Sequence, residues 1–421
     1  MQAVLDSIWV LFCAFLVFFM HAGFSLVESG FCRKKNAVMV LLKNVVVVAL
    51  GSIVYFFVGY GLMFGEDAGG FLGTSMFAPS ANAADVGTLP IFVFLFFQMV
   101  FAATSSTIVS GAVAERARLG TFMLFTLVAA GVIYPIVGHW VWGGGWLAGL
   151  GFHDFAGSTV VHAVGGGMAL AGAIVVGPRL GKYAKDGSPR PMPAHNFPLA
   201  ALGVLILWLG WFGFNGGSTL VADPRAIGSV ILSTNLSAAA GLLAALLHTR
   251  MRTGMLDLSM GLNGALAGLV AITAGADVIG PVEALVVGVI GGVLVVEGVF
   301  LLEKRGVDDP VGAFAVHGIN GVVGTLLVGV FAAGETPGLL HGGGLGLLGI
   351  QALGTFASFA FAFSAGFALW KGMSLLPGGV RVDEAHELEG LDISECGVEA
   401  YGEELRGAHD MARRAALPEA G

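Results

Sequence analysis

The chain has 421 residues, of which 56% are apolar and only 11% charged, against roughly 25% charged in an ordinary soluble protein. Its net charge of −8 belongs mainly to the C-terminus, because eleven acids fall in the last fifty residues. These values exclude a soluble globular domain and describe an all-α polytopic membrane protein, with the lipid bilayer as its solvent and no nucleic-acid partner expected.

The opening "DSIWVLFCAFLVFFMHAGFSLVESGF" has no basic region ahead of it and reads as a retained first span, not a cleaved leader. Runs such as "NVVVVALGSIVYFFVGYGLMFG" can cross a hydrocarbon core of about 30 Å, which takes ~20 helical residues. Eleven such segments follow one another, near 7–29, 38–64, 89–112, 119–141, 155–177, 197–214, 226–249, 258–276, 283–302, 312–333 and 347–371. Arg33-Lys34-Lys35, Arg116 and Arg118, the 178–196 loop, Arg250 and Arg252, and Lys304-Arg305 occupy alternate loops. Cytoplasmic loops retain Lys and Arg, so the N-terminus is expected outside and the C-terminus inside. An odd span count suits two inverted five-helix repeats, about 7–177 and 197–333, plus one extra helix at about 347–371. Residues 1–372 would then form the transmembrane domain and 373–421 a cytoplasmic tail. Cys13, Cys32 and Cys396 form no pattern for a disulfide framework or a metal site. No cofactor is expected.

The chemistry concentrates in two stretches, "DFAGSTVVH" (Asp154 to His162) and "DPVGAFAVH" (Asp309 to His317). Each places an acid eight residues before a histidine, at the start of an apolar run. Under the expected topology Asp154 opens span five from outside and Asp309 opens span ten from inside. Eight helical residues rise ~12 Å, so His162 and His317 should meet near the midplane. Each aspartate would sit at a helix N-terminus, where an anion is favoured. A single histidine in a span is as often a packing residue, but ionisable groups at matching places in inverted halves mark a pathway. Gly165, Gly166 and Gly167 just beyond His162 read as positions of close helix packing.

At these residues the sequence resembles the ammonium transporter (Amt/MEP) family, within the wider Amt/MEP/Rh superfamily, over nearly its whole length. "FQMVFAATSSTIVSGAVAERAR", "VWGGGWLAG" and "GWFGFNGGST" resemble three further segments of that family, in the same order. The resemblance implies a homotrimer of eleven-span protomers in the cytoplasmic (inner) membrane, each with a narrow apolar pore and no catalytic residues. It implies that Phe101 and Phe214 are stacked gate rings, and that Trp142, Ser218 and Phe101 form an outer ammonium-recruiting site. It further implies that His162 and His317 are the paired pore histidines, with Asp154 and Asp309 as supporting acids. Without the resemblance, the two phenylalanines would be core or lipid-facing residues, Trp142 an interfacial residue, and Ser218 a turn residue.

In the tail, "GLDISECGVEAY" resembles the segment by which family members couple subunits and meet PII-type regulatory proteins. Cys396 stands where a histidine is common, and Val398 where an acid is, which puts such a partner in doubt. His21 and His153 also depart from the family pattern and are expected to be structural or mouth-lining. An ammonium sensor on the same scaffold is an alternative; it would be supported by a signalling domain on the tail, for which about fifty residues leave no room. A Rhesus-type ammonia gas channel would share the gate and histidines, but Trp142 with Ser218 argues against it. An intramembrane hydrolase lacks a nucleophile beside the histidines.

Overall fold

A computed structural model describes residues 1–401. They are mostly helical, and ten helices are apolar and long enough to cross a membrane. These are α1 (Gln2–Phe31), α2 (Lys34–Phe64), α3 (Ile91–Ala112), α4 (Leu119–Gly149), α5 (Ser158–Val176), α6 (Phe197–Gly217) and α7 (Pro224–Thr253), then α9 (Pro281–Lys304), α10 (Phe314–Phe331) and α11 (Gly346–Ser374). The eighth expected segment is α8 (Leu258–Thr273), apolar but 16 residues long. At 1.5 Å per residue it covers ~24 Å, less than a full hydrocarbon core. Its run Gly261–Thr273 is buried throughout, so protein, not lipid, surrounds it. The acidic stretch beyond about 405, expected to form a solvated end to the tail, lies outside the described residues.

The exterior is apolar, and the interior, itself mainly apolar, encloses a minority of polar groups, whereas a soluble fold keeps most of its polar groups on the surface. Phe12, Phe15 and Phe19 on α1 and Leu243 and Leu247 on α7 are exposed, whereas Asn44, Thr107, Asn215, Thr234 and Asn320 are buried. Backbone groups within lipid must bond internally, which dictates helices. Asn196, Asp223 and Asp257 accept backbone N–H bonds at the starts of α6, α7 and α8, satisfying donors that a helix cannot pair for itself.

Small residues set the helix spacing. An added Cβ at Gly23 would lie 2.9 Å from the Gly203 carbonyl and 2.8 Å from Leu207, and one at Gly210 would lie 3.1 Å from the Leu16 carbonyl and 2.2 Å from Met20. One register therefore relates α1 to α6: Gly23 to Gly210, Met20 to Leu207 and Leu16 to Gly203. The two helices pack as equivalents about a local pseudo-two-fold axis. Gly241, Gly264, Gly268, Gly288 and Gly292 hold α7, α8 and α9 together in the same manner, each within 2.1–2.6 Å of a neighbouring carbonyl oxygen if a Cβ were added.

Helix ends define two faces. One carries Trp142, the Asp154 loop and a short antiparallel hairpin, β1 (Asp67–Ala68) with β2 (Leu72–Gly73), which sequence patterning did not suggest. The buried His139 ring ties the hairpin down, contacting the Met63 carbonyl at 2.9 Å and Asp67 at 2.9 Å. The opposite, tail face carries a buried ion-pair cluster. Glu115 accepts from Arg33, from Arg179 at 2.6 Å and from Asn36 at 3.0 Å, and Arg179 also donates to Asp308 at 2.8 and 2.9 Å. Burial alone would raise the Asp308 carboxyl, but Arg179 and Arg116 outweigh it and hold it far below its usual range.

Residues 380–401 dock on this face. Val382 N donates to the Arg116 carbonyl at 3.0 Å, Met39 N to Asp392 at 2.9 Å, Leu391 N to Asn36 at 2.9 Å and Leu119 N to Glu395 at 3.0 Å. Lys35 donates to the Glu387 and Leu388 carbonyls, and Tyr401 meets His195 at 3.1 Å. Cys396 packs beside Met39, with the sulfurs 3.9 Å apart. Val398 is exposed.

Candidate functional site

Asp154 precedes α5 and does not open it. Its carboxylate accepts from Gly157 N at 2.9 Å, Thr159 N at 2.8 Å and Val160 N at 2.9 Å. Gly157 takes φ +115°, a left-handed conformation that other residues rarely adopt. The stretch from Asp154 to Gly157 is thus a capping turn, and His162 is the fifth residue of its helix. Its axial rise from the first residue is ~6 Å, half the ~12 Å expected from an unbroken helix. Asp309 repeats the device, accepting from Gly312 N at 3.1 Å and Phe314 N at 2.8 Å. Both carboxyls lie in loops, where burial raises them above the usual range against these donors.

The histidines themselves sit in π-helical turns, Ser158–Ala163 and Phe314–Ile319. Such widened turns are rare and concentrate at functional sites. Beyond them, Gly166 of α5 meets Gly318 of α10 so closely that an added Cβ would lie 2.3 Å from the Gly318 backbone. Gly165 is similarly close to the Ser105 carbonyl, at 2.8 Å, while Gly167 is less crowded, its nearest neighbours lying at 3.3 Å (Phe363 N) and 3.4 Å (the Phe359 carbonyl). This crossing brings the two rings together: Nδ1 of His162 lies 3.1 Å from Nδ1 of His317, and the rings stack at 5.1 Å.

A line of aromatic contacts leads to that pair. Trp142 meets Phe101 edge-on at 6.3 Å, Phe101 stacks on Phe214 at 4.1 Å, and Phe214 stacks on His162 at 5.4 Å. Above Phe101 a cavity of about 320 Å³ opens at the Trp142 face, lined by Trp142, Phe101, Phe97, Gln98, Phe155 and Ser218 among others. The Trp142 indole donates to the Asp154 carbonyl at 2.7 Å, so the Asp154 turn also aims the tryptophan. Ser218 donates to the Phe214 carbonyl at 2.8 Å; its oxygen retains acceptor capacity toward the cavity. All eight residues singled out in the sequence therefore fall on one track or on the turns that hold it.

The family model that describes the Ammonium Transporter Family matches residues 8–401. The chain belongs to the ammonium transporter family. It is 46% identical over 417 residues to the ammonium transporter Amt2 of Archaeoglobus fulgidus, across 94% of this chain and 88% of that one. Among solved structures it superposes on a sensor Amt protein with TM-score 0.90 and 42% identity, covering 94% of this chain and 98% of the other. Candida albicans Mep2 superposes with TM-score 0.84 and 32% identity, covering 90% and 87%. This is a family of membrane transporters, not of enzymes.

Several residues of this ammonium transporter family member line the track without having been singled out. Trp211 stacks on His162 at 5.0 Å and Phe24 packs against His317 at 6.0 Å. In a chain apolar on every side, an aromatic ring facing the track has no pattern to separate it from one facing lipid. Gln98 could have been noticed as a polar residue inside "FLFFQMVF"; its buried Oε1 has no hydrogen-bond partner. His21 is buried, with Nδ1 at 3.1 Å from the Phe18 carbonyl, and so does not line a mouth. His153 is half-buried and pairs with Asp277 at 3.1 Å.

Proposed function

We propose that the chain carries ammonium across the cytoplasmic membrane, with the Trp142 face outside and the tail face inside. Eleven spans, counting α8, and a homotrimeric assembly complete this reading, as the family resemblance implies. The observation that carries it is the continuous contact series Trp142–Phe101–Phe214–His162–His317 beneath an open cavity. The cation is held in the cavity by the Trp142 and Phe101 faces and the Ser218 oxygen. Such aromatic attraction is worth up to ~2 kcal/mol. Crossing as a bare ion is costly, on the order of 20 kcal/mol in the idealised low-dielectric limit. With a lysine ammonium as stand-in, deprotonation at pH 7 costs about 4.6 kcal/mol, so ammonia passes the Phe101–Phe214 stack as a neutral molecule.

The histidine pair can serve both ammonia and the released proton. In the Nδ1–Nδ1 hydrogen bond one ring donates and the other accepts. The donor ring then has a free acceptor at Nε2, and the acceptor ring a donor at its own Nε2. A proton that binds at the donor ring's Nε2 lets the shared proton cross to the other ring, which then releases its own Nε2 proton. Both rings end neutral with their roles exchanged, and one proton has passed along the pair. Sodium and potassium have no proton to lose and would be rejected. The docked tail is the face a PII-type regulatory protein would meet, although Cys396 and Val398 depart from the pattern for such a partner.

Ammonium-evoked current in proteoliposomes tests the reading, with potassium as control and the His162→Ala/His317→Ala variant beside the wild type. A current that the variant loses supports it, and His162→Ala alone should disturb the proton path more than outer capture. An unchanged current in the variant would refute the histidine relay. The likeness to a sensor Amt protein favours one second reading, an ammonium sensor; saturable ammonium binding without current would place it first.

A further inference from the structure

On the tail side of His317 the track enters a cavity of about 20 Å³, lined by Phe24, Val27, Glu28, Asn263, Val311 and His317 among others. That is room for one water-sized molecule. Asn263 and Val311 also line the large vestibule of about 330 Å³ that opens at the tail face, so the small cavity is the last confined step before it. Glu28 is the one carboxylate in the small cavity's lining.

Glu28 is 2% exposed and belongs to α1. Its Oε2 accepts from the Ser110 hydroxyl at 2.7 Å. The Ser110 carbonyl in turn accepts from Lys43 at 2.9 Å, and Lys43 is 1% exposed with its ammonium 5.2 Å from the Phe122 ring. A buried acid and a buried base are thus linked through a single residue of α3. A charge in a span is expensive, and packing alone explains neither. Asp309 in the turn before α10, Cys32 further along α1 and the Asn44 side chain also act on Glu28, and His317 shares its cavity.

The pseudo-two-fold register assigns Glu28 a place in the track. The relation that carries Gly23 to Gly210 carries Phe24 to Trp211, Val27 to Phe214 and Glu28 to Asn215. Phe24 and Trp211 flank one histidine each, as the register requires. Where the outer half closes the track with the Phe214 ring, the inner half has the smaller Val27 and, beside it, a carboxylate facing the path.

We propose that Glu28 is the proton-accepting group of the inner half of the path. This rests on the deprotonation and histidine-relay reading above. The proton released when NH4+ becomes NH3 passes the His162–His317 pair and forms an O–H bond at the Glu28 carboxylate, which becomes a neutral carboxylic acid. Ammonia arriving past His317 takes that proton: an N–H bond forms as the O–H bond breaks, NH4+ leaves into the vestibule, and the carboxylate is restored. Lys43 stays protonated and balances the carboxylate between cycles. No further reactant is needed, and one positive charge crosses per ammonium.

The test records ammonium-evoked current and lumenal pH together, in proteoliposomes of the full chain, above protein-free vesicles. Glu28→Gln should lower the current on the order of 100-fold, as expected for loss of a positioned proton-transfer group, while ammonia influx read from lumenal alkalinisation persists. Glu28→Asp should recover current. The Glu28→Gln/Lys43→Met variant leaves no buried charge unmatched; it should behave as Glu28→Gln does, and it carries the same test if the single variant does not assemble. Wild-type current in Glu28→Gln, or restored current in the double variant, would overturn the proposal. So would equal loss of current and ammonia influx, which would mark Glu28 as a packing residue. A wild-type protein without current would instead overturn the transport reading beneath it.

Discussion

Replacing Gly166 by alanine tests whether the close crossing of α5 and α10 is what aligns the histidines. The new Cβ would lie 2.3 Å from the Gly318 N and Cα, both rigid backbone atoms, whereas ordinary contact begins at 3.4 Å. The helices must therefore separate by about 1 Å, at a cost of roughly 1–3 kcal/mol for overpacking. The same movement stretches the 3.1 Å His162–His317 contact to about 4 Å, beyond hydrogen-bonding range. Misplacement on this scale can cost on the order of 100-fold in rate, and the ammonium-evoked current should fall accordingly. Gly167→Ala is the control, since its nearest neighbour is 3.3 Å away. Both proteins would be assayed for current and thermal unfolding. Wild-type current in Gly166→Ala, or an equal fall in Gly167→Ala, would refute the reasoning.

Trp142→Leu removes an aromatic face from the outer cavity and with it about 1–2 kcal/mol of cation attraction. The half-saturating ammonium concentration should rise roughly 5- to 30-fold in a concentration series, with the maximal current much less affected. The His153–Asp277 pair should make stability depend on pH near neutrality. Burial works to lower His153, but the hydrogen bond and charge of Asp277 outweigh it and hold the imidazole above its ordinary value. That contribution is complete below the ordinary value of 6.5 and is lost as pH rises through the raised one. Partial exposure limits it to under about 1 kcal/mol, on the order of 1 °C in melting temperature, and Asp277→Asn should abolish the difference between pH 5.5 and 8.5.

The two Asp–His stretches were legible because an acid and a histidine at one spacing, twice, in apolar runs have few other uses. The convergence of His162 and His317 followed from the topology alone. The unbroken helical rise from each aspartate to its histidine was misjudged, because the turn from Asp154 to Gly157 and the π-helical winding depend on capping contacts that residue spacing does not encode. Phe101, Phe214, Trp142 and Ser218 emerged from resemblance, not from any periodicity. Trp211 and Phe24 were missed because amphipathic patterning separates core from water, and here no face meets water. Glu28 was legible as a lone charge inside an apolar run but was not singled out. The α1–α6 register becomes visible only once the glycines are seen to touch, after which Glu28 reads as the partner of Asn215.

The ion-pair cluster at the tail face bears on how the chain is made. Arg33, Glu115 and Arg179 belong to loops of the first five helices, but the carboxylate that completes them, Asp308, lies between α9 and α10. During synthesis Glu115 can pair with Arg33 and Arg179 as soon as the first five helices exist, but this set keeps one unmatched positive charge, which costs little only in water, until Asp308 follows. Only when α9 and α10 arrive can the cluster close and dry. Closure of the cluster is thereby deferred to the arrival of the loop between α9 and α10.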